Sequence, residues 1–68
     1  MNKVFCIRLK ELRLDKKMRQ ADLAKILHIA FNTISSWERG NSAPNIDELK
    51  IIAEFFEVST DYLLGLED

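Results

Sequence analysis

Residues 20–40, QADLAKILHIAFNTISSWERG, constrain the fold of this 68-residue chain more than any other stretch. Leu23, Ala24 and Leu27 recur at i, i+1 and i+4, and Ile34 and Trp37 at i and i+3, so each half carries one apolar face at helical spacing. Between the halves, Leu27-His28-Ile29-Ala30 is too short to be an element of its own. The spacing predicts two short helices, about 20–27 and 31–39, joined by a tight break. On the outer face of the second lie Asn32, Thr33 and Ser36, whose small polar side chains suit close approach to another surface better than long solvating charges do.

The same periodicity organises the remainder. Phe5, Leu9 and Leu12 lie at i, i+4 and i+7 and predict a first helix over about 3–15. Gly40 stands just past the last periodic residue of the third helix, where a left-handed backbone favours glycine, and Asn41-Ser42-Ala43-Pro44 reads as a loop. Asn45 followed by Glu48 is a capping-box pattern opening a fourth helix with a buried stripe of Leu49, Ile52, Ala53 and Phe56. Ser59 can cap a short fifth helix running through Leu64 and ended by Gly65. No stretch alternates with period two. The expectation is an all-α fold of five helices in one domain, residues 1–68, with Leu23, Leu27, Trp37 and Leu49 in its core.

A domain of this size buries roughly 60% of its unfolded surface and has little room for a catalytic pocket. The chain holds one Cys and one His, too few for a metal set, and shows no activated nucleophile or paired-carboxylate site, so neither an enzyme nor a metal or cofactor is expected. Cys6 cannot form an intramolecular disulfide and reads as a small apolar residue; His28, in the turn, is expected at the surface. There is no leader, no apolar run near 18 residues and no lipidation motif, so the expected setting is cytoplasmic, without a membrane partner. No small-molecule substrate is evident.

Net charge is −1, which by itself argues against a nucleic-acid partner. The distribution reverses that inference. Residues 1–44 contain nine Lys/Arg against four acids, +5, and residues 45–68 contain Lys50 against seven acids, −6. Phosphate attraction acts over about 8–10 Å at moderate salt, so the sign of the approaching face outweighs the total. With two short helices at this spacing, the pattern is that of a helix-turn-helix, whose second helix enters the DNA major groove.

An ordered set of motifs then appears along the chain: Leu12-Arg13, Gln20 with Leu23-Ala24, Ile34-Ser35 followed by Trp37-Glu38-Arg39-Gly40, Pro44, Leu49 with Ile52-Ala53, and Val58-Ser59-x-Asp61-x-Leu63-Leu64-Gly65. In these residues the chain resembles the Cro/C1-type (XRE) helix-turn-helix family, the small DNA-binding domains of lambdoid phage repressors, Cro proteins and their bacterial relatives. Members often carry Gly where this chain has Lys17, His28 and Glu57, Ser or Thr where it has Arg19, and Ser where it has Ala30. A non-glycine residue in the left-handed region costs roughly 1 kcal/mol, and a lost N-cap oxygen about as much. Ile29 and Ile34 can still staple the start of the third helix.

The resemblance implies a sequence-specific regulator of transcription, a repressor acting as a homodimer on a near-palindromic operator. Asn32, Thr33 and Ser36 fall at its base-reading positions. Phe31 has two open roles, packing on a thymine methyl or sugar, or covering the second helix. Gln20 and Arg19 at the start of the second helix, and Asn41 and Ser42 after the third, correspond to phosphate contacts flanking the reading helix. The resemblance also pairs Glu38 with Arg13 and places self-association at the C-terminal end, where the spacing leaves Phe55, Tyr62 and Leu66 outside the inward stripe. The alternative is a protein-interaction module that keeps the fold without specific DNA binding and recruits its partner through the acidic half.

Overall fold

The computed structural model describes residues 3–67. Five helices follow one another: α1 (Lys3–Asp15), α2 (Gln20–Leu27), α3 (Phe31–Arg39), α4 (Ile46–Phe56) and α5 (Thr60–Leu64). The described residues contain no strand. No helix among them is long and apolar enough to cross a membrane.

Each helix start shows how far local chemistry supports it. Asn45 Oδ1 accepts from the Glu48 N–H at 2.8 Å while Glu48 Oε1 accepts from the Asn45 N–H at 2.9 Å, a complete reciprocal cap for α4. Ser59 Oγ accepts from the Tyr62 N–H at 3.0 Å and caps α5. At α2 the N-cap is Arg19, whose guanidinium has no acceptor, so half of the box remains: Asp22 Oδ2 accepts from the Arg19 backbone N–H at 2.9 Å. At α3 the N-cap is Ala30, with no side-chain cap at all. Its entry relies on packing instead, since Ile29 lies against the core cluster to which the fully buried Ile34 belongs.

Helix ends share a different device. Lys17, His28, Gly40, Glu57 and Gly65 all have φ between 56° and 82°, and at the ends of α2, α3, α4 and α5 the cap amide returns to helix carbonyls. Three of these five positions are therefore held left-handed without glycine. At Gly65 there is a second reason for glycine: a Cβ there would stand 2.9 Å from Val4 Cγ1.

The core gathers Phe5 and Leu9 from α1, Leu23, Ala24 and Leu27 from α2, Ile34 and Trp37 from α3, Ile52, Ala53 and Phe56 from α4, and Leu63 from α5. Phe5 and Trp37 meet edge to face with ring centroids 6.5 Å apart. Cys6 is buried and His28 exposed. Leu49 departs from expectation: it is half-buried against the cluster rather than inside it, and so is Leu12. Leu49 lies one turn from Ile46, which is 85% exposed at the start of α4.

Candidate nucleic-acid interface

The break between α2 and α3 is a left-handed His28 followed by Ile29, whose N–H returns to the Ala24 carbonyl at 2.9 Å. That turn lets Leu23 and Leu27 of α2 pack with Ile34 and Trp37 of α3, leaving the other side of α3 outward. On that side Asn32 is exposed and Thr33 and Ser36 are half-buried, at i, i+1 and i+4, so they share one face. Phe31, 50% exposed, stands at the first turn outside the core cluster.

Two groups accompany this face. Gln20, the first residue of α2, is half-buried, and its Nε2 donates to Glu38 Oε1 at 3.1 Å. Beside it Arg19 is exposed and folds onto Asp22, Nη2 to Oδ1 at 3.0 Å and Nε to Oδ2 at 3.2 Å. These hydrogen bonds raise the Arg19 pKa and, with the Arg19 backbone N–H, hold the Asp22 carboxyl below the ordinary aspartate value. The chain leaves α3 through Gly40, and the Asn41 N–H donates to the Ser36 carbonyl at 3.0 Å. Asn41 and Ser42 are exposed, and Ser42 Oγ lies 2.7 Å from Ser36 Oγ.

Behind the face, Arg13 joins α1 to α3 and to the turn that precedes α2. Its Nε and Nη2 donate to Glu38 Oε2 and Oε1, and its Nη1 donates to the Met18 carbonyl at 2.7 Å. No buried side-chain nitrogen or oxygen among the described residues lacks a hydrogen-bond partner. The arrangement is thus an apolar wedge carrying a row of small hydrogen-bonding side chains, accompanied by the Gln20 and Asn41 amides and the Ser42 hydroxyl. It can offer donors and acceptors to a grooved polyanion; it holds no cluster of three or more metal-ligating side chains among the described residues.

Arg19 and Gln20 stand at the start of α2, Phe31, Asn32, Thr33 and Ser36 on α3, and Asn41 and Ser42 in the loop after it. The three residues assigned to self-association fare differently. Phe55 is half-buried, edge to face with Phe56 at 4.9 Å, and Lys16 Nζ stands 5.6 Å from its ring centroid. Tyr62 is half-buried under the Arg8 guanidinium, 4.2 Å above its ring. Leu66 is the exposed one of the three, at 73%. Helical spacing on α4 and α5 alone does not register that cations of α1 and its following turn cover these rings.

Sequence reasoning also missed the pairings within the interface. Arg19 and Asp22 are an i,i+3 pair at a helix start and were readable as such. Gln20 with Glu38, and Ser36 with Ser42, were not, because each depends on how a left-handed turn folds the chain back.

A family model described as helix-turn-helix matches residues 9–63. Among curated proteins, the chain is 41% identical over 64 residues to the HTH-type transcriptional activator BcrR of Enterococcus faecalis, covering 94% of this chain and 31% of that protein. It is 37% identical over 65 residues to the uncharacterized HTH-type transcriptional regulator YobD of Bacillus subtilis, covering 96% and 58%. It is 37% identical over 57 residues to Repressor protein C2 of Salmonella phage P22, covering 84% and 26%. The chain therefore spans only part of the length of these relatives.

Proposed function

The chain belongs to this helix-turn-helix family, and on that premise we propose that it binds double-stranded DNA sequence-specifically and regulates transcription, laying α3 in the major groove. One observation carries the proposal: Asn32, Thr33 and Ser36 share the outward side of α3, where Ser42 of the following loop joins Ser36. Asn32 can pair bidentately with adenine N6 and N7, the hydroxyls of Thr33 and Ser36 can serve several bases, and Phe31 can pack on a thymine methyl or sugar. Arg19 and Gln20 at the α2 N-terminus, with Asn41 and Ser42 after α3, hold the phosphates that fix register. Arg19 enters this role by exchanging the exposed Asp22 carboxylate for phosphate.

A helix of nine residues covers only a few base pairs. Two copies on a near-palindromic operator, with half-sites about 34 Å apart, supply the missing specificity, and occupation of a promoter by such a homodimer represses it. The names of two relatives specify an activator and a repressor, so likeness over this domain does not by itself fix the sign of regulation.

Selection of bound sequences from a random duplex pool, followed by a salt titration, tests the proposal. The expected outcome is an enriched motif with two-fold symmetry, bound with an affinity that falls steeply as salt rises. Failure to bind any duplex at low salt would instead favour the protein-interaction module.

A further inference from the structure

We propose that Ser42 is a positioning residue for base selection: its contact with a phosphate makes the Ser36 hydroxyl an obligate acceptor, which then selects an exocyclic amino group in the major groove. The inference rests on the DNA-binding function proposed above and deepens it.

Ser36 Oγ and Ser42 Oγ lie 2.7 Å apart, in a hydrogen bond that either oxygen can donate. Backbone geometry brings the two together. Gly40 turns the chain in the left-handed region and the Asn41 N–H locks onto the Ser36 carbonyl at 3.0 Å, which returns Ser42 to the side of Ser36 six residues along. The pair has an inner member, Ser36, half-buried on the outward face of α3, and an outer member, Ser42, exposed in the loop.

A hydroxyl has one proton and two acceptor lone pairs. In the free protein the Ser36–Ser42 bond can run in either direction. A phosphate diester oxygen only accepts, so Ser42 can bind it only by donating its single proton. The Ser42 oxygen is then left to accept, and the proton in the Ser36–Ser42 bond must come from Ser36. With that proton committed, Ser36 presents only lone pairs to the base edge. Lone pairs accept from N4 of cytosine or N6 of adenine, and they oppose O6 and N7 of guanine and O4 of thymine. Without Ser42, the Ser36 proton is released and the hydroxyl serves either kind of base. A backbone contact that carries no sequence information directly thereby decides which half of the base alphabet Ser36 accepts.

The test is a base-substitution series through the selected half-site with the full chain, comparing the parent with Ser36→Ala, Ser42→Ala and Ser42→Thr, each checked for a cooperative thermal melt. The position where Ser36→Ala loses discrimination is the one Ser36 reads. There the parent should prefer an amino-bearing base by about threefold to tenfold, the range of one hydrogen bond. Replacing that base by its analogue without the exocyclic amino group should abolish the preference. Ser42→Thr, which keeps the hydroxyl, should retain it. Ser42→Ala should bind amino-bearing and carbonyl-bearing bases there about equally, beyond any uniform loss from the missing phosphate contact. A uniform loss with the preference intact, a parental preference for guanine or thymine at that position, or no position that depends on Ser36 would each overturn the inference while leaving DNA binding standing. A parent that binds no duplex would overturn the proposed function, and this inference with it.

Discussion

Arg13 grips both carboxylate oxygens of Glu38, Nε to Oε2 at 2.7 Å and Nη2 to Oε1 at 2.9 Å, with the two side chains only 8% and 3% exposed. Together with Phe5 against Trp37, this pair holds α3 to α1 behind its outward face. Two further hydrogen bonds serve the pair: Arg13 donates to the Met18 carbonyl after α1, and Glu38 accepts from Gln20 at the start of α2. A bidentate pair with such added partners tolerates burial that an isolated charge does not.

Removing one partner of this pair is expected to hurt more than removing both. Arg13→Met or Glu38→Gln each leaves one group buried without its counterion or full hydrogen bonding, at a cost of about 3–5 kcal/mol, whereas the double variant should be far closer to the parent. Denaturant melts of the four proteins form the cycle. Additive single effects would mean that the pair contributes no coupling.

Asn32→Ala and Ser36→Ala are expected to lose roughly 1–3 kcal/mol on the selected operator with little change on bulk duplex. Arg19→Ala should weaken all duplexes alike and reduce the magnitude of the salt slope by about one. Gln20→Ala should also weaken all duplexes alike, and should soften thermal stability as well, because its amide serves Glu38. Competition binding across a salt series separates the two groups; equal discrimination by the Asn32 variant and the parent would remove it from the reading set.

The left-handed positions provide a stability test independent of DNA. Lys17→Gly, His28→Gly and Glu57→Gly should each stabilise by up to about 1 kcal/mol, since a side chain at positive φ is strained and glycine is not. Gly65→Ala should destabilise by about 2 kcal/mol, combining that strain with a Cβ pressed on the branched Val4. Chemical denaturation of the four variants checks both directions.

Asp22 carries the pH dependence of the α2 start. Arg19 holds its carboxyl below the ordinary value, through the guanidinium first and the backbone N–H second. A depressed folded-state pKa contributes stability that is fully present above the unfolded value and is lost as pH falls through the folded one. The Asp22 carboxyl resonance should therefore titrate below the usual aspartate range. Arg19→Ala should bring it back toward that range, and Asp22→Asn should flatten the acid limb of the melting profile. A titration unchanged by Arg19→Ala would assign the depression elsewhere.

Leu66 and Phe55, both assigned to self-association by their spacing, should behave differently. Leu66 is exposed, so Leu66→Glu should leave the fold intact while shifting sedimentation toward the monomer and reducing cooperative binding to the full operator. Phe55 packs against Phe56 and the core, so Phe55→Ala should cost roughly 2 kcal/mol of stability, about half the usual loss for a fully buried phenylalanine. Unaltered self-association of Leu66→Glu across a concentration series would move the interface away from the C-terminal end.

Most of the fold was legible because its causes are local. The apolar stripe of Phe5 and Leu9, the Asn45–Glu48 box, the Ser59 cap and the turn glycines Gly40 and Gly65 each act within a few residues, and all five helices fall where those signals place them. The chain's departures at Lys17, His28 and Glu57 were equally legible: the residue type changes and the left-handed turn stays. Core membership was less so at the margins. The spacing of Leu12 and Leu49 says which side of the helix they take, but whether a neighbour covers that side depends on where the other helices end.

By itself, then, the amino-acid sequence determined the five helices, their ends, the inward faces of α2 and α3, and the outward row of Asn32, Thr33 and Ser36, since period, capping and φ preference are properties of short stretches. The tertiary structure alone decided the contacts that no local signal announces. Gln20 with Glu38, Ser42 with Ser36, Lys16 beside Phe55 and Arg8 over Tyr62 join residues separated by turns or by much of the chain. A hydrogen bond needs its partners aligned within about 3 Å, and residue order does not supply that alignment until the helices have packed.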